Sequence, residues 1–124
     1  MTDRRRFGVV EVRFRSIGGI ALYDLTIAGE RWACVEWSPT RRGWCIQDAS
    51  GRCLAHLDRV HGQDPDAQAA VRLAKRMILD GSLPDPETAR AQLRERLERE
   101  QRGEPPDPGV PWDLLPQPVS IRRA

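Results

Sequence analysis

Residues 30–81 read ERWACVEWSPTRRGWCIQDASGRCLAHLDRVHGQDPDAQAAVRLAKRMILDG, and they indicate a small sheet followed by one helix. Residues 31–37, 44–48 and 52–58 are rich in apolar and aromatic side chains, and turn residues separate them. Short apolar runs bounded by Gly, Pro and Ser are typical of β-strands. We therefore expect two or three adjacent antiparallel strands here, because short links join neighbouring strands.

A helix is predicted directly after these strands. Asp64 can cap the free N–H groups, Pro65 fits the first helical position, and Gly81 after Asp80 favours a helix end. Apolar side chains recur at spacings of three and four between these ends: Ala67, Ala70, Val71, Ala74, Met77 and Ile78. Such a stripe is typical of a helix that packs one face against a sheet.

Two further strands are predicted upstream. Residues 7–15 alternate between apolar and charged side chains, Gly18-Gly19 makes a turn, and residues 20–28 form the next strand. The sequence thus predicts an α+β domain over residues 7–81, an antiparallel β-meander of four to five strands packed by one helix. The strand–turn–strand–helix order over 44–81 resembles that of many small bacterial domains, but the resemblance is topological and implies no functional residues.

The ends of the chain differ from this domain. Residues 82–102 predict a second, charged helix, since Asp85-Pro86 repeats the capping signal and few of the later positions are apolar. Six of the ten prolines fall within residues 103–124, which predicts a Pro-rich C-terminal tail. Residues 1–6, which include Arg4, Arg5 and Arg6, are predicted to be a basic N-terminal arm.

The net charge is small. Twenty basic and 18 acidic residues give a formal charge of +2, whereas dedicated nucleic-acid modules are usually more basic. No apolar run reaches the ~18 residues that span a membrane, and the arginines of the N-terminal arm are not followed by the apolar region of a signal peptide. We expect a cytoplasmic protein with reduced thiols and no membrane partner.

Three cysteines and two histidines are the candidates for a metal site: Cys34, Cys45, Cys53, His56 and His61. Regular alternation puts Cys53 and His56 on opposite faces of one strand, and the spacing matches no known zinc knuckle. Isolated cysteines in strands are usually small buried apolar groups. The sequence therefore predicts no metal site and no cofactor, but it leaves open whether these five residues bind metal.

No catalytic motif is present in the sequence. It contains no nucleophile elbow, no phosphate-binding glycine loop and no His-Glu-x-x-His pattern. We expect a protein that is not an enzyme. The favoured interpretation is a small interaction or regulatory protein of bacterial type that acts through protein–protein contacts.

The Pro-rich tail carries the candidate partner-binding residues. Trp112, Leu114 and Leu115 are large apolar side chains in a polar segment, and such side chains anchor partners by filling a pocket. They either dock a protein partner of unknown identity or fold back onto the domain. A homodimer is a further option, because an open sheet can pair with a second copy.

Single-stranded nucleic-acid binding is the alternative function. Aromatic side chains on a sheet can stack on bases while arginines bind phosphates. Trp32, Trp37, Trp44 and Tyr23 lie on neighbouring predicted strands, and regular alternation exposes either Trp32 or Trp37 unless the strand is bulged. The candidate phosphate-binding residues are Arg4, Arg5, Arg6, Arg13, Arg15, Arg41 and Arg42.

Overall fold

The computed structural model describes residues 9–105, and this part of the chain has an α+β fold. Five strands precede two helices: β1 (Val10–Ile17), β2 (Ile20–Ile27), β3 (Glu30–Ser38), β4 (Gly43–Asp48), β5 (Cys53–Leu57), α1 (Ala67–Asp80) and α2 (Pro86–Gln101). The predicted meander, its packing helix and the second helix are confirmed. Most of the predicted Pro-rich tail lies outside the described residues.

The strands form one antiparallel sheet in the order β1–β2–β3–β4–β5. Gly18 and Gly19 link β1 to β2 with φ values of 58° and 80°, a conformation that glycine adopts without steric cost. Because the links are short, each strand pairs with its neighbour in sequence. β1 and β5 are therefore the two edges of the sheet.

One face of the sheet, the core face, packs against α1. Val35, Ile46 and Ala55 are paired in series across β3, β4 and β5, and none is more than 6% exposed. Ala70 and Ala74 of α1 are fully buried in the same cluster. These small side chains allow the helix to lie close to the sheet.

The opposite face, the polar face, carries charged, amide and thiol groups. Directly paired residues of an antiparallel ladder share a face, so the register defines two rows across the sheet. The first row is Arg15, Leu22, Glu36, Cys45 and His56, and the second is Arg13, Asp24, Cys34, Gln47 and Cys53.

Two β-bulges interrupt the regular alternation. The register between β2 and β3 shifts at Leu25/Thr26 and leaves Trp32 as an extra residue, which is 1% exposed in the core. The register between β4 and β5 shifts at Ile46/Gln47 and leaves Leu54 as the extra residue. An extra residue moves the side chains beyond it to the other face. Regular alternation therefore gives the wrong answer when it compares the faces of two residues that lie on either side of one of these bulges.

The first helix begins later than the sequence predicted. Asp66 has an extended backbone, and its carboxylate accepts a hydrogen bond from the N–H of Gln68, so Asp66 and not Asp64 is the N-cap. Asp64 instead binds Arg42, whose Nε lies 3.0 Å from the carboxylate. The predicted end at Gly81 is confirmed by its left-handed φ of 84°.

The second helix is charged, as predicted. Asp85 caps it by accepting from the N–H of Thr88 at 2.7 Å, and Pro86 occupies the first turn. Within α2 only Pro86 and Ala89 are buried. Arg90 also reaches Glu30 on β3 at 3.3 Å, so the start of α2 lies against the sheet.

Candidate functional site

Cys45, Cys53 and His56 form a cluster on the polar face, which we call the thiol–imidazole cluster. Their ligand atoms all lie within 4.8 Å of one another. Cys45 is directly opposite His56 in the β4–β5 ladder, and Cys53 Sγ lies 3.5 Å from Nε2 and 3.6 Å from Nδ1 of His56. The bulge at Leu54 causes this meeting. The expectation that Cys53 and His56 lie on opposite faces is therefore wrong.

A tight turn positions Cys53 within the cluster. Asp48 ends β4 and is 1% exposed, and its Oδ1 accepts hydrogen bonds from the N–H of Ser50 at 2.9 Å and of Arg52 at 3.1 Å. The Ser50 hydroxyl donates to the same oxygen at 2.7 Å. One buried carboxylate thus organises the link from β4 to β5, and Cys53 follows that link directly.

Gln47 joins the cluster to a carboxylate. Its Nε2 lies 3.1 Å from Oε1 of Glu36 and 3.8 Å from Sγ of Cys45. Glu36 is itself directly opposite Cys45 on β3. A cavity of about 250 Å³ opens beside them, lined by these three residues, by Ile20 of β2 and by part of the β3–β4 hairpin. The cluster therefore adjoins a space that solvent or a small ligand can fill.

The two thiols of the cluster differ in acidity. The hydrogen bond to Cys53, followed by burial, raises the pKa of Cys45 above the usual thiol range. The same hydrogen bond lowers the pKa of Cys53. Cys53 is therefore the more acidic of the two thiols, and thiolate is the form of cysteine that reacts and binds metals.

The remaining candidate metal ligands lie apart from this cluster. Cys34 is on β3 opposite Gln47, it is 4% exposed, and burial raises its pKa to about 11. His61 lies in the exposed turn that is closed by the Val60–Gln63 bridge. The structure therefore brings together three of the five residues that the sequence singled out.

The arginines of the nucleic-acid prediction are partly engaged with carboxylates. Arg15 makes a two-point contact with Asp24, in which Nη2 lies 3.2 Å from Oδ1 and Nε donates to Oδ2. Arg42 makes a similar contact with Asp64. Both arginines would have to exchange these partners for phosphate. The other candidates are Arg13 on β1, Arg41 in the β3–β4 hairpin, and Arg4, Arg5 and Arg6 outside the described residues.

The tryptophans of β3 and β4 pack mainly in the core. Trp32 is 1% exposed and Trp44 is 6% exposed, and the indole N–H of Trp44 donates to the carbonyl of Pro65 at 3.0 Å. Trp37 and Tyr23 are half-buried against the same core. These rings offer little open surface for base stacking, and nucleic-acid binding stays an untested prediction.

The edge strand β1 is the most apolar exposed surface in residues 9–105. Six large apolar side chains are exposed in the described part of the chain. Four of them belong to β1 or to the residue before it: Val9, Val12, Phe14 and Ile17. Phe14 is 57% exposed, and its ring centre lies 5.2 Å from that of Tyr23. The Tyr23 ring in turn contacts Trp44, so an exposed edge continues into the aromatic core.

The predicted partner-binding residues Trp112, Leu114 and Leu115 lie outside residues 9–105, and their role stays a prediction. Comparison with protein-family models, with curated proteins and with solved structures found no match. Neither helix in the described part of the chain is long and apolar enough to cross a membrane.

Proposed function

We propose that this chain is a small non-enzymatic interaction protein that pairs along β1 with a second copy of itself. The observation that carries the proposal is the concentration of exposed apolar side chains on one sheet edge. Natural proteins usually protect edges with short strands, proline or charged side chains, lysine above all. β1 is eight residues long and contains neither proline nor lysine, and its charged side chains, Glu11, Arg13 and Arg15, lie on the polar face.

The apolar side chains within β1 that a paired strand would cover lie on the core face of the sheet. Val10, Val12 and Phe14 share the core face of β1, because they pair with Ile27, Leu25 and Tyr23 of β2. A second strand added to β1 would continue the core face and cover Val12 and Phe14. Edge pairing of this kind combines main-chain hydrogen bonds with apolar side-chain contacts.

The sequence of β1 is complementary to itself in an antiparallel register centred on Val12. This register sets Val12 against its own copy, Val10 against Phe14, and Glu11 against Arg13. Apolar residues then meet on the core face, and opposite charges meet on the polar face. The neighbouring register, centred on Arg13, sets two arginines against each other, and directly opposed like charges are destabilising. Charge therefore favours the register centred on Val12 over the register centred on Arg13, which keeps two Glu11–Arg15 pairs but adds the arginine pair.

Binding of a different protein by the tail stays a separate prediction. A pair of chains would present two copies of the tail, with Trp112, Leu114 and Leu115 in each. Nucleic-acid binding is the weaker alternative, because two of its arginines hold carboxylates and its tryptophans pack in the core.

Sedimentation equilibrium of the purified full chain tests the pairing. Val12→Lys places a lysine opposite its own copy at the centre of the interface, and we expect it to weaken self-association by at least about tenfold. Leu97→Lys is the matched control, because Leu97 is 49% exposed on α2 and Val12 is 39% exposed. The control is expected to associate like the unmodified chain.

Two results would overturn the proposal. The first is an unmodified chain that sediments as a monomer at every accessible concentration. The second is an equal weakening of self-association by Val12→Lys and by Leu97→Lys, since Leu97 belongs to α2 and not to the β1 edge. Circular dichroism of both variants shows whether the fold is retained.

A further inference from the structure

We propose that Cys45, Cys53 and His56 bind one zinc-class transition-metal ion, with a fourth coordination position that faces the cavity beside Glu36. This inference is independent of the pairing along β1. It rests on the donor types, on their separations and on the position of the cavity.

The donor set suits a thiophilic metal. Two sulfurs and one imidazole nitrogen are typical zinc ligands, whereas magnesium and calcium prefer oxygen. Within the described residues these three are the only histidine, cysteine and acidic side chains that converge as a group. Cys34 and His61, which have the same chemistry, lie elsewhere and are not ligands in this proposal.

The separations match a tetrahedral ion. Zinc–sulfur bonds of about 2.3 Å and zinc–nitrogen bonds of about 2.0–2.1 Å place neighbouring ligand atoms roughly 3.5–3.8 Å apart. Cys53 Sγ is already 3.5 Å from Nε2 of His56, and all the ligand atoms fall within 4.8 Å. Small side-chain rotations would close the remaining gap to Cys45.

The fourth position opens toward the cavity. Cys45 lines the cavity together with Glu36 and Gln47, so the cavity borders one ligand of the proposed ion and we assign the fourth position to that side. A water molecule or the Glu36 carboxylate can occupy the position there. Gln47 donates toward both Cys45 and Glu36, and such neighbouring hydrogen bonds orient metal ligands.

The main rival is that the two thiols are only half-buried apolar groups or form a disulfide. Cobalt(II) distinguishes these possibilities, because thiolate ligation gives a charge-transfer band and tetrahedral geometry gives intense visible bands. We expect the reduced, metal-stripped full chain to develop both and to saturate at one cobalt per chain. Added zinc should then abolish them. A reduced chain that shows no thiolate–cobalt band overturns the proposal, and so does a Cys45–Cys53 disulfide that persists under reductant.

Matched variants test which residues are the ligands. Cys53→Ser and His56→Ala should lower cobalt affinity more than about 100-fold, beyond the roughly 10–100-fold effect of losing an outer hydrogen-bond partner. Cys34→Ser and His61→Ala are the controls and should keep one cobalt per chain. Loss of the bands in a control as complete as in Cys53→Ser overturns the assignment. If a variant fails to fold, the cobalt titration of the unmodified chain still shows whether the protein binds a metal through thiolates.

Discussion

Cys53 Sγ lies 3.5 Å from Nε2 of His56, although a regular strand would direct these two side chains to opposite faces. The cause is Leu54, the extra residue opposite Ile46 and Gln47 in the β4–β5 ladder. Bulges commonly re-aim side chains at functional sites. Here one extra residue places Cys53 and His56 on the same face of the sheet, next to each other and close to Cys45.

Zinc should stabilise the folded protein, because the cluster exists only when β4 and β5 are paired. At a free zinc concentration about 100 times the dissociation constant, the free energy of unfolding should rise by about 2.7 kcal/mol. Thermal unfolding with zinc and with a chelator measures this difference. Cys53→Ser should show a much smaller difference, and an equal difference in that variant would contradict the site.

Asp48 should matter for stability more than its position in a turn suggests. Asp48→Ala removes the acceptor of three hydrogen bonds at a buried site, and we expect a loss of about 1–3 kcal/mol in the free energy of unfolding. Asp80→Ala is the control, since Asp80 accepts from the N–H of Ser82 at 2.8 Å in an exposed turn. Urea unfolding compares the two variants, and equal losses would contradict the role given to Asp48.

Cys34 should react more slowly than Cys53 at neutral pH. Its pKa is raised to about 11, chiefly by burial and then by the Asp24 carboxylate, so little thiolate is present near pH 7.5. The alkylation rate of the folded chain at Cys34 should rise about tenfold per pH unit until the pH approaches that value. Pulsed iodoacetamide labelling with peptide mass spectrometry measures it, with the urea-unfolded chain as the control. Alkylation of Cys34 as fast as that of Cys53 at pH 7.5 would contradict this account.

Truncation after Pro105 should leave both the fold and the pairing intact. The buried apolar side chains that the structure describes all lie between Leu22 and Ala89, and β1 lies near the other end of the chain. The thermal midpoint and the self-association constant should therefore stay close to those of the full chain. A large fall in the midpoint would show that the tail belongs to the core, and Trp112 would then be the first residue to examine.

The architecture was predictable because several local signals agree. Alternation in β1, glycine turns and short links specify a meander, and Asp85-Pro86 caps α2 as expected. The start of α1 was misjudged because Asp64 and Asp66 both flank Pro65, and either can cap a helix in sequence terms. In the structure Asp64 binds Arg42 of a distant hairpin, a contact that the local sequence does not show.

The candidate metal site was not predictable from alternation. The bulge at Leu54 is a single extra residue, and the composition of β5 does not predict it. It nevertheless changes the face of every side chain beyond it. The same reason explains Trp32, which the bulge between β2 and β3 sends into the core. Exposure along β1 was equally hidden, since the sequence does not show that α1 packs against β3 and β4.

The register of the proposed pair can be tested by exchanging the charges of Glu11 and Arg13. We predict that Glu11→Arg and Arg13→Glu, each alone, weaken self-association roughly tenfold, because two pairs of opposite charges become pairs of like charge. The double variant, which carries both changes, should regain the association constant of the unmodified chain, as measured by sedimentation equilibrium. A double variant that associates as weakly as the single variants would contradict pairing of two β1 strands about Val12.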